Sequence, residues 1–474
     1  MKRKATVRGK KVSEINAAAR SLPAVDSVLR LPQAELLIAQ YGRTAVLSAV
    51  RKTVDELRRV ALKGGEIAQS LRTAEGVLDA AGKRILGSRR PQLGRVINAS
   101  GIVLHTGLGR AHMPDAARDA LATVAGYCNI QMDLETGKRS RREQNVLELV
   151  KDLTGAEDAC VVNNNAGATM LVLKALAKGK EVVVSRGELI EIGGSFRLPD
   201  IMTESGAVLR EVGTTNKTHP RDYEDAVGKN TGLLFKAHKS NYKVIGFTAE
   251  VGIDDIVRIG RKRRVPVVDD LGAGALVGLE QFGLPHESTV QESVKAGSDV
   301  VLFSTDKLIG GPQGGLIVGK EQFITRIRKH PLYRVLRVCK LTLAALEATL
   351  RLFTSPELLV ARHPIYAMLG KSPAELEKSA RELAAVISQK KSEWKLSVVK
   401  TTSFLGGGSL PQEEMPSFAV RIVSTSCSAD ELARRFRTAV TPVIPRVAGN
   451  AVLLDMRTVL TGDMLGILKT VELV

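Results

Sequence analysis

Lys307 is the residue around which chemistry could be organised. It follows the apolar run Val300-Val301-Leu302-Phe303 by way of Ser304-Thr305-Asp306, and it precedes Gly310-Gly311-Pro312-Gln313-Gly314-Gly315. A short continuous apolar run predicts a buried strand, and glycine pairs let backbone come close to a ligand. An amine, with a hydroxyl three residues before it, is what a pyridoxal phosphate (PLP) site uses: Lys307 for the Schiff base and Ser304 for the phosphate. Taken alone, the same residues also describe a surface lysine in a glycine-rich loop.

Two further stretches bear on that choice. In Val161-Val162-Asn163-Asn164-Asn165-Ala166-Gly167-Ala168-Thr169 a strand ends, small and polar residues follow, and a helix starts. Unpaired N–H groups and the helix dipole make such a start an anion site, with Asn165 and Gly167 as phosphate ligands; an Asn-capped helix without a ligand is the alternative. In Val265-Pro266-Val267-Val268-Asp269-Asp270-Leu271-Gly272 a buried strand ends in two acids. A carboxylate enclosed there needs a partner; the protonated pyridine nitrogen of PLP is one, a metal or a helix cap another. Adjacent strand residues point to opposite faces, so one acid of the two faces the site. Anion site, then strand-end acid, then strand-end lysine about 35–40 residues later is the order of the large domain of aspartate-aminotransferase-like PLP enzymes, fold type I.

The elements that must position these residues follow from periodicity. From Val96 onward short apolar strands alternate with helices, the α/β pattern: strands at 159–162, 181–185, 233–237, 265–269, 300–303 and 315–318, with helices at 168–177, 254–263 and 340–350. Before it, residues 22–29, 33–63 and 67–86 have helical spacing, after a basic tail at Met1–Lys11. After Ser372 a smaller α+β unit is predicted, with helices at 373–390 and 429–438, strands after Trp394 and at 417–423, a hairpin at 443–456 turning at Gly449-Asn450, and a last helix at 462–471. The expected domains are therefore a basic helical domain at 1–90, a large α/β domain at 91–350 and a small α+β domain at 351–474.

The chain's 474 residues carry a net charge of +19. Residues 1–90 hold 19 Lys and Arg against 8 Asp and Glu, so more than half of that charge lies in the first fifth of the chain. This is an electrostatic footprint for a nucleic acid. The four cysteines, Cys128, Cys160, Cys339 and Cys427, are too scattered for a disulfide framework or a zinc site, and no metal site is expected. No apolar h-region follows the basic start and no run has membrane-spanning length, so a cytoplasmic protein without a membrane partner is expected.

Longer motifs carry a family resemblance. They are Asn98-Ala99-Ser100-Gly101 through Gly107-Leu108-Gly109-Arg110, Asp133-Leu134-Glu135-Thr136-Gly137-Lys138-Arg139, Ser185-Arg186-Gly187-Glu188 through Gly193-Gly194, Glu211-Val212-Gly213-Thr214-Thr215-Asn216, and His330-Pro331-Leu332 through Arg334 and Arg337. With Asp306-Lys307-Leu308-Ile309-Gly310-Gly311-Pro312-Gln313 and the early Leu22-Pro23-Ala24-Val25-Asp26, these make the chain resemble, nearly end to end, the bacterial selenocysteine synthases, L-seryl-tRNA(Sec) selenium transferases. The resemblance implies a PLP enzyme that eliminates the hydroxyl of serine carried by tRNA(Sec) and adds selenium from selenophosphate. It implies Lys307 as Schiff-base lysine, Asp270 rather than Asp269 as partner of the pyridine nitrogen, and Asp306 as a proton-handling residue. Arg110, Arg334 and Arg337 match arginines for the donor's phosphate; the last two, three apart, would share a helical face. A tRNA-binding N-terminal domain and a homo-oligomeric ring of dimers, a decamer, are implied as well.

The chain departs from the family pattern at Ser100, Gly107, Gly167, Lys239, Thr305 and Cys339, where Thr, Asn, Ala, Thr, Gly and an acid are usual. Two other readings compete: a PLP lyase or transferase of the same family acting on a small amino acid or amino sugar, and a non-catalytic RNA-binding protein on a decayed scaffold. The basic N-terminal segment speaks against the first, and the joint retention of Lys307, Asp270 and Ser304 against the second.

Overall fold

The computed structural model describes residues 20–89, 93–194, 196–410 and 413–474, and the chain divides into two units, Met1–Gly94 and Arg95–Val474. The expected basic tail at Met1–Lys11 lies outside the described residues.

The first unit is helical: α1 (Val25–Leu29), α2 (Pro32–Tyr41), α3 (Arg43–Leu62) and α4 (Ala74–Arg89). Val28, Val46, Val50, Val54, Val77 and Ile85 form its buried core. The helical spacing of 33–63 predicts one helix, but the structure breaks it at Gly42, whose φ of +83° is a left-handed backbone that glycine adopts without strain. The second predicted helix, 67–86, begins instead as a 3₁₀ turn at Gln69–Arg72. α4 starts only after Thr73, whose hydroxyl accepts the Gly76 N–H at 3.1 Å.

The second unit opens with β1 (Ile97–Ala99) and β2 (Ile102–Leu104). Then come β3 (Asp158–Val162), β4 (Glu181–Ser185), a small ribbon of β5 (Glu191–Ile192) and β6 (Phe196–Arg197), β7 (Val208–Val212), β8 (Thr231–Ala237), β9 (Val267–Gly272), β10 (Val300–Ser304) and β11 (Gly315–Gly319). The large sheet runs β3-β11-β10-β9-β8-β4-β7, with only β11 antiparallel to its neighbours. Its strands other than edge strand β7 are buried on both faces, as a mostly parallel sheet requires. Val161, Val301, Phe303 and Leu316 pack with α5 (Gln144–Thr154); Val162, Leu302 and Ile317 pack with α6 (Asn165–Ala177) on the other face. Edge strand β7, Val-Leu-Arg-Glu-Val, escaped the sequence reading because most of it faces solvent and reads as polar.

Helices α7 (Ile253–Arg263), α8 (Val290–Ala296), α9 (Pro331–Val335), α10 (Lys340–Arg351) and α11 (Pro364–Gly370) complete this layer. A second sheet follows from β12 (Lys395–Gly406), β13 (Glu414–Val423), β14 (Val443–Ala448) and β15 (Ala451–Asp455), with α12 (Pro373–Lys390), α13 (Ala429–Thr438) and α14 (Met464–Leu473). Its order is β1-β14-β15-β13-β12-β2. The expected large domain of residues 91–350 thus includes two strands that pair with the C-terminal ones: β1 lies parallel to β14, Ile97 opposite Val443, and β2 lies parallel to β12, Ile102 opposite Phe404. Each is three residues long, too short to declare its partner from its own sequence. No helix of the described residues is long and apolar enough to cross a membrane.

Candidate active site

Lys307 stands in the turn that leaves β10, buried at 8% exposure. The turn is held from several sides. Thr305, fully buried, donates its hydroxyl to Pro312 O at 2.5 Å and its N–H to Gly314 O at 3.0 Å, closing the glycine loop. Tyr366 of α11 donates its hydroxyl to Leu308 O at 3.0 Å, and His363 Nε2 donates to Ile309 O at 2.9 Å. Burial pushes His363 down to about 4, so its ring is neutral near pH 7. At Gly310, φ +70°, a Cβ would run into the His363 ring. On the open side the loop after β12 passes over the lysine so closely that a Cβ at Gly408 would lie 2.5 Å from Lys307 Nζ. Burial lowers the proton affinity of the Lys307 amine, against the pull of Asp306 and Asp270, which favours the nucleophilic free amine.

Asp306 pairs with Arg110, Nη1 to Oδ2 2.6 Å, and its carbonyl accepts the Ala111 N–H at 3.3 Å. Arg110 has φ +65°, a left-handed conformation that is costly for a side chain and held here by these contacts and by its N–H to His105 O at 3.0 Å.

The two strand-end acids point to opposite faces, as the pleat of β9 dictates. Asp269, 2% exposed, accepts Ser293 Oγ of α8 at 2.6 Å, and burial pushes it up to about 6. Asp270 turns toward α6: Asn165 Nδ2 donates to Oδ1 at 2.8 Å, Thr169 Oγ1 to Oδ2 at 2.9 Å, and Gly272 N to Oδ1 at 3.1 Å. Desolvation raises its carboxyl, and these donors and the Lys307 charge offset only part of that rise. Thr169, one helical turn after Asn165, is a partner that the sequence reading passed over; the i, i+4 spacing carries the signal.

At the start of α6, Asn164 Oδ1 accepts the Gly167 N–H at 2.7 Å as an N-cap. Asn165 gives its amide to Asp270, while its Oδ1 is buried without a hydrogen-bond partner among the described atoms. Ser304 ends β10, buried and opposite Gly315, whose Cβ position is filled by the Asn164 carbonyl. Lys307, Asp306, Arg110, Asp270, Ser304, Asn165 and Gly167 thus gather at the ends of β3, β9 and β10.

Arg334 and Arg337 flank Leu336, whose side chain lies against Gly167 at the start of α6. Arg334 is on α9, but the helix ends at Val335, so Arg337 falls one residue past its cap instead of on a shared helical face. Both are exposed, and neither forms an ion pair among the described residues. The segment is tied to the site by the Asn163 N–H, which donates to Leu336 O at 3.0 Å.

His238 and Glu287 also reach the site, unannounced by the sequence. Gly272 lies between His238 and Lys307: a Cβ there would be 4.0 Å from His238 Cβ and 3.9 Å from Lys307 Nζ. His238 Nε2 faces Glu287 Oε1 at 3.5 Å. A cleft of about 620 Å³ opens on this pair, lined also by Lys239, Tyr242, Glu250 and Leu410.

The residues present fit PLP. Asp270 accepts three hydrogen bonds, which leaves capacity for one more donor such as a pyridinium N–H. Asn165 Oδ1 is an enclosed acceptor awaiting a partner, Lys307 supplies the amine, and the start of α6 supplies a positive helix end.

Comparison with known proteins gives the chain's relatives. Residues 96–460 match the family described as L-seryl-tRNA selenium transferase, and residues 19–58 match the selenocysteine synthase N-terminal family. A protein of Carboxydothermus hydrogenoformans named L-seryl-tRNA(Sec) selenium transferase is 45% identical over 446 residues, covering 94% of this chain and 95% of that one. One of Geobacter metallireducens with the same name is 46% identical over 445 residues, covering 94% and 96%. Among solved structures, a D-glucosaminate-6-phosphate ammonia-lyase is similar in fold, with a TM-score of 0.54 at 20% identity over 82% of this chain and 96% of that one.

Proposed function

The chain belongs to the L-seryl-tRNA selenium transferase family, and on that premise we infer that it converts seryl-tRNA(Sec) to selenocysteinyl-tRNA(Sec), with selenophosphate as the selenium donor. It is a PLP-dependent transferase. The observation that carries the reading is the near end-to-end match together with the convergence of Lys307 and Asp270 at adjacent strand ends. When bound, PLP draws electron density from the substrate's Cα, which labilises the Cα proton and lets the β-hydroxyl leave.

The chain's own residues divide the remaining work. Lys307, with its lowered proton affinity, holds the cofactor and takes the Cα proton. Asp270, braced by Asn165 and Thr169, would hold the cofactor's ring nitrogen and supply it a negative charge. Ser304 and the start of α6 would hold the cofactor phosphate, though the Gly167 N–H expected there is taken by Asn164 and the Asn165 amide by Asp270. Asp306, fixed by Arg110, steadies the charge of Lys307 from the next residue. Arg334 and Arg337, with the free N–H groups of Arg110, take the phosphate of selenophosphate, for which planar guanidinium groups are suited. The basic N-terminal unit binds the tRNA. We further propose a homo-oligomer, a ring of dimers. The exposed Tyr127, Met132, Leu134 and Val335 supply apolar surface for such contacts. Its compartment is the cytoplasm, where its tRNA substrate is made.

The test is conversion of seryl-tRNA(Sec) in the presence of selenophosphate. Formation of selenocysteinyl-tRNA is expected; turnover of a free amino acid in its place overturns the reading. Removing residues 1–90 should abolish tRNA binding and leave PLP in place, and unchanged tRNA affinity would refute that assignment.

A further inference from the structure

Elimination of the serine hydroxyl needs a proton for the departing oxygen as well as a base for Cα. Most ionisable groups around Lys307 are committed elsewhere. Asp306 is bound to Arg110, Asp270 to three donors, and Asp269 to Ser293 on the far face of the strand. Arginine does not give up a proton near neutral pH. Glu287, in the loop before α8, has no Lys or Arg partner among the described residues; the Ser409 hydroxyl and His238 are beside it. Glu287 is 5% exposed and, with His238, Asp269 and Ser293, lines the cleft.

His238 is oriented by its own neighbours. The Ser240 N–H donates to Nδ1 at 3.0 Å, so Nδ1 carries no proton. Burial and the nearby Lys307 charge push the ring down to about 4, so it is neutral near pH 7. Its single proton is then on Nε2, 3.5 Å from Glu287 Oε1. Burial pushes Glu287 up to about 7, against the Ser409 hydroxyl first and then the Lys307 and His286 charges, which pull it down. The other charged groups facing the pair are largely paired: Lys236 with Glu188 and Lys239 with Glu250, while His286 pairs with Glu280. Lys307 is therefore the charge whose change Glu287 feels most directly.

We propose that Glu287, oriented by His238, is a further catalytic residue: it gives its proton to the serine hydroxyl as the Cβ–O bond breaks. The hydroxyl leaves as water, the Cα proton passes to Lys307, and Glu287 is left as a carboxylate that regains a proton from solvent before the next turnover. This rests on the transferase reading above.

Glu287→Gln in the full-length holoenzyme tests it. Because the protonated acid is the active form, wild-type kcat falls as pH rises through about 7. The variant is expected to lose about 100-fold in kcat with KM for seryl-tRNA(Sec) unchanged, and to lose that alkaline limb. Without tRNA, the pH midpoint of the cofactor's visible absorbance should move down, because the Glu287 carboxylate favours the protonated state of the Lys307 nitrogen. Activity within threefold of wild type, a lost kcat with the limb intact, or an unmoved midpoint each overturns the proposal. If Glu287→Gln does not retain PLP, His238→Phe decides: loss of the Nε2 donor must shift the limb to higher pH, and an unshifted limb overturns the proposal. Failure of the wild type to act on seryl-tRNA(Sec) would sink the transferase reading instead; the absorbance titration reports on Glu287 without any tRNA.

Discussion

The loop that carries Lys307 and the segment that carries Arg334 and Arg337 differ in what holds them. The first is enclosed: Thr305, Asp306, Leu308 and Ile309 all have hydrogen-bond partners within the chain, contributed by α11, by Arg110 and by the glycine loop. The second is exposed, and both its guanidinium groups are free of ion pairs among the described residues. A cofactor that stays bound through many turnovers suits a cradle built before it arrives. A donor that must enter and leave suits charges paid for by no internal partner, so that binding releases only water.

That contrast can be broken at three levels. The largest effect belongs to Lys307→Ala, which should abolish the cofactor's visible absorbance and reduce turnover by more than about 1000-fold; a retained visible band would show that the enclosed loop does not hold the cofactor. Next, Arg334→Ala and Arg337→Ala should each raise KM for selenophosphate by about 10- to 100-fold, the loss expected for a charge-assisted contact, with the visible spectrum unchanged. An altered spectrum would erase the distinction between the two regions. The smallest effect is Tyr366→Phe, which strands the Leu308 carbonyl and should cost about 1–2 kcal/mol of stability. A lowered melting temperature with PLP still bound is the expected outcome, and an unchanged one would mean that the clamp is incidental.

Much of the cradle was legible because it rests on short-range rules. The alternation of strand side chains separates Asp269 from Asp270, and the structure puts them on opposite faces. Helix α12 runs over the predicted residues 373–390, and the structure adds the Ser372–Glu375 capping box at its start. The fold type I assignment holds for the same reason: strand, helix start and strand-end residues recur in order. The clamps were not legible. Tyr366 and His363 meet the lysine loop from more than fifty residues away, with no local pattern to betray them. Glu287 sits in an irregular loop between two short helices, and His238 became visible only once β8 was seen beside β9. Gly42 divides a stretch whose apolar spacing is helical on both sides, so periodicity passes straight through it.

The pairing of β1 with β14 and of β2 with β12 also has a consequence for biogenesis. These strands emerge from the ribosome about 300–350 residues ahead of their partners, a wait of tens of seconds at ordinary elongation rates. Arg110 follows β2 by only six residues, so its grip on Asp306 waits for the C-terminal third of the polypeptide to be translated. A prematurely terminated chain would contain Lys307 and Asp270 yet lack the strands that anchor the arginine, so activity is reserved for finished molecules.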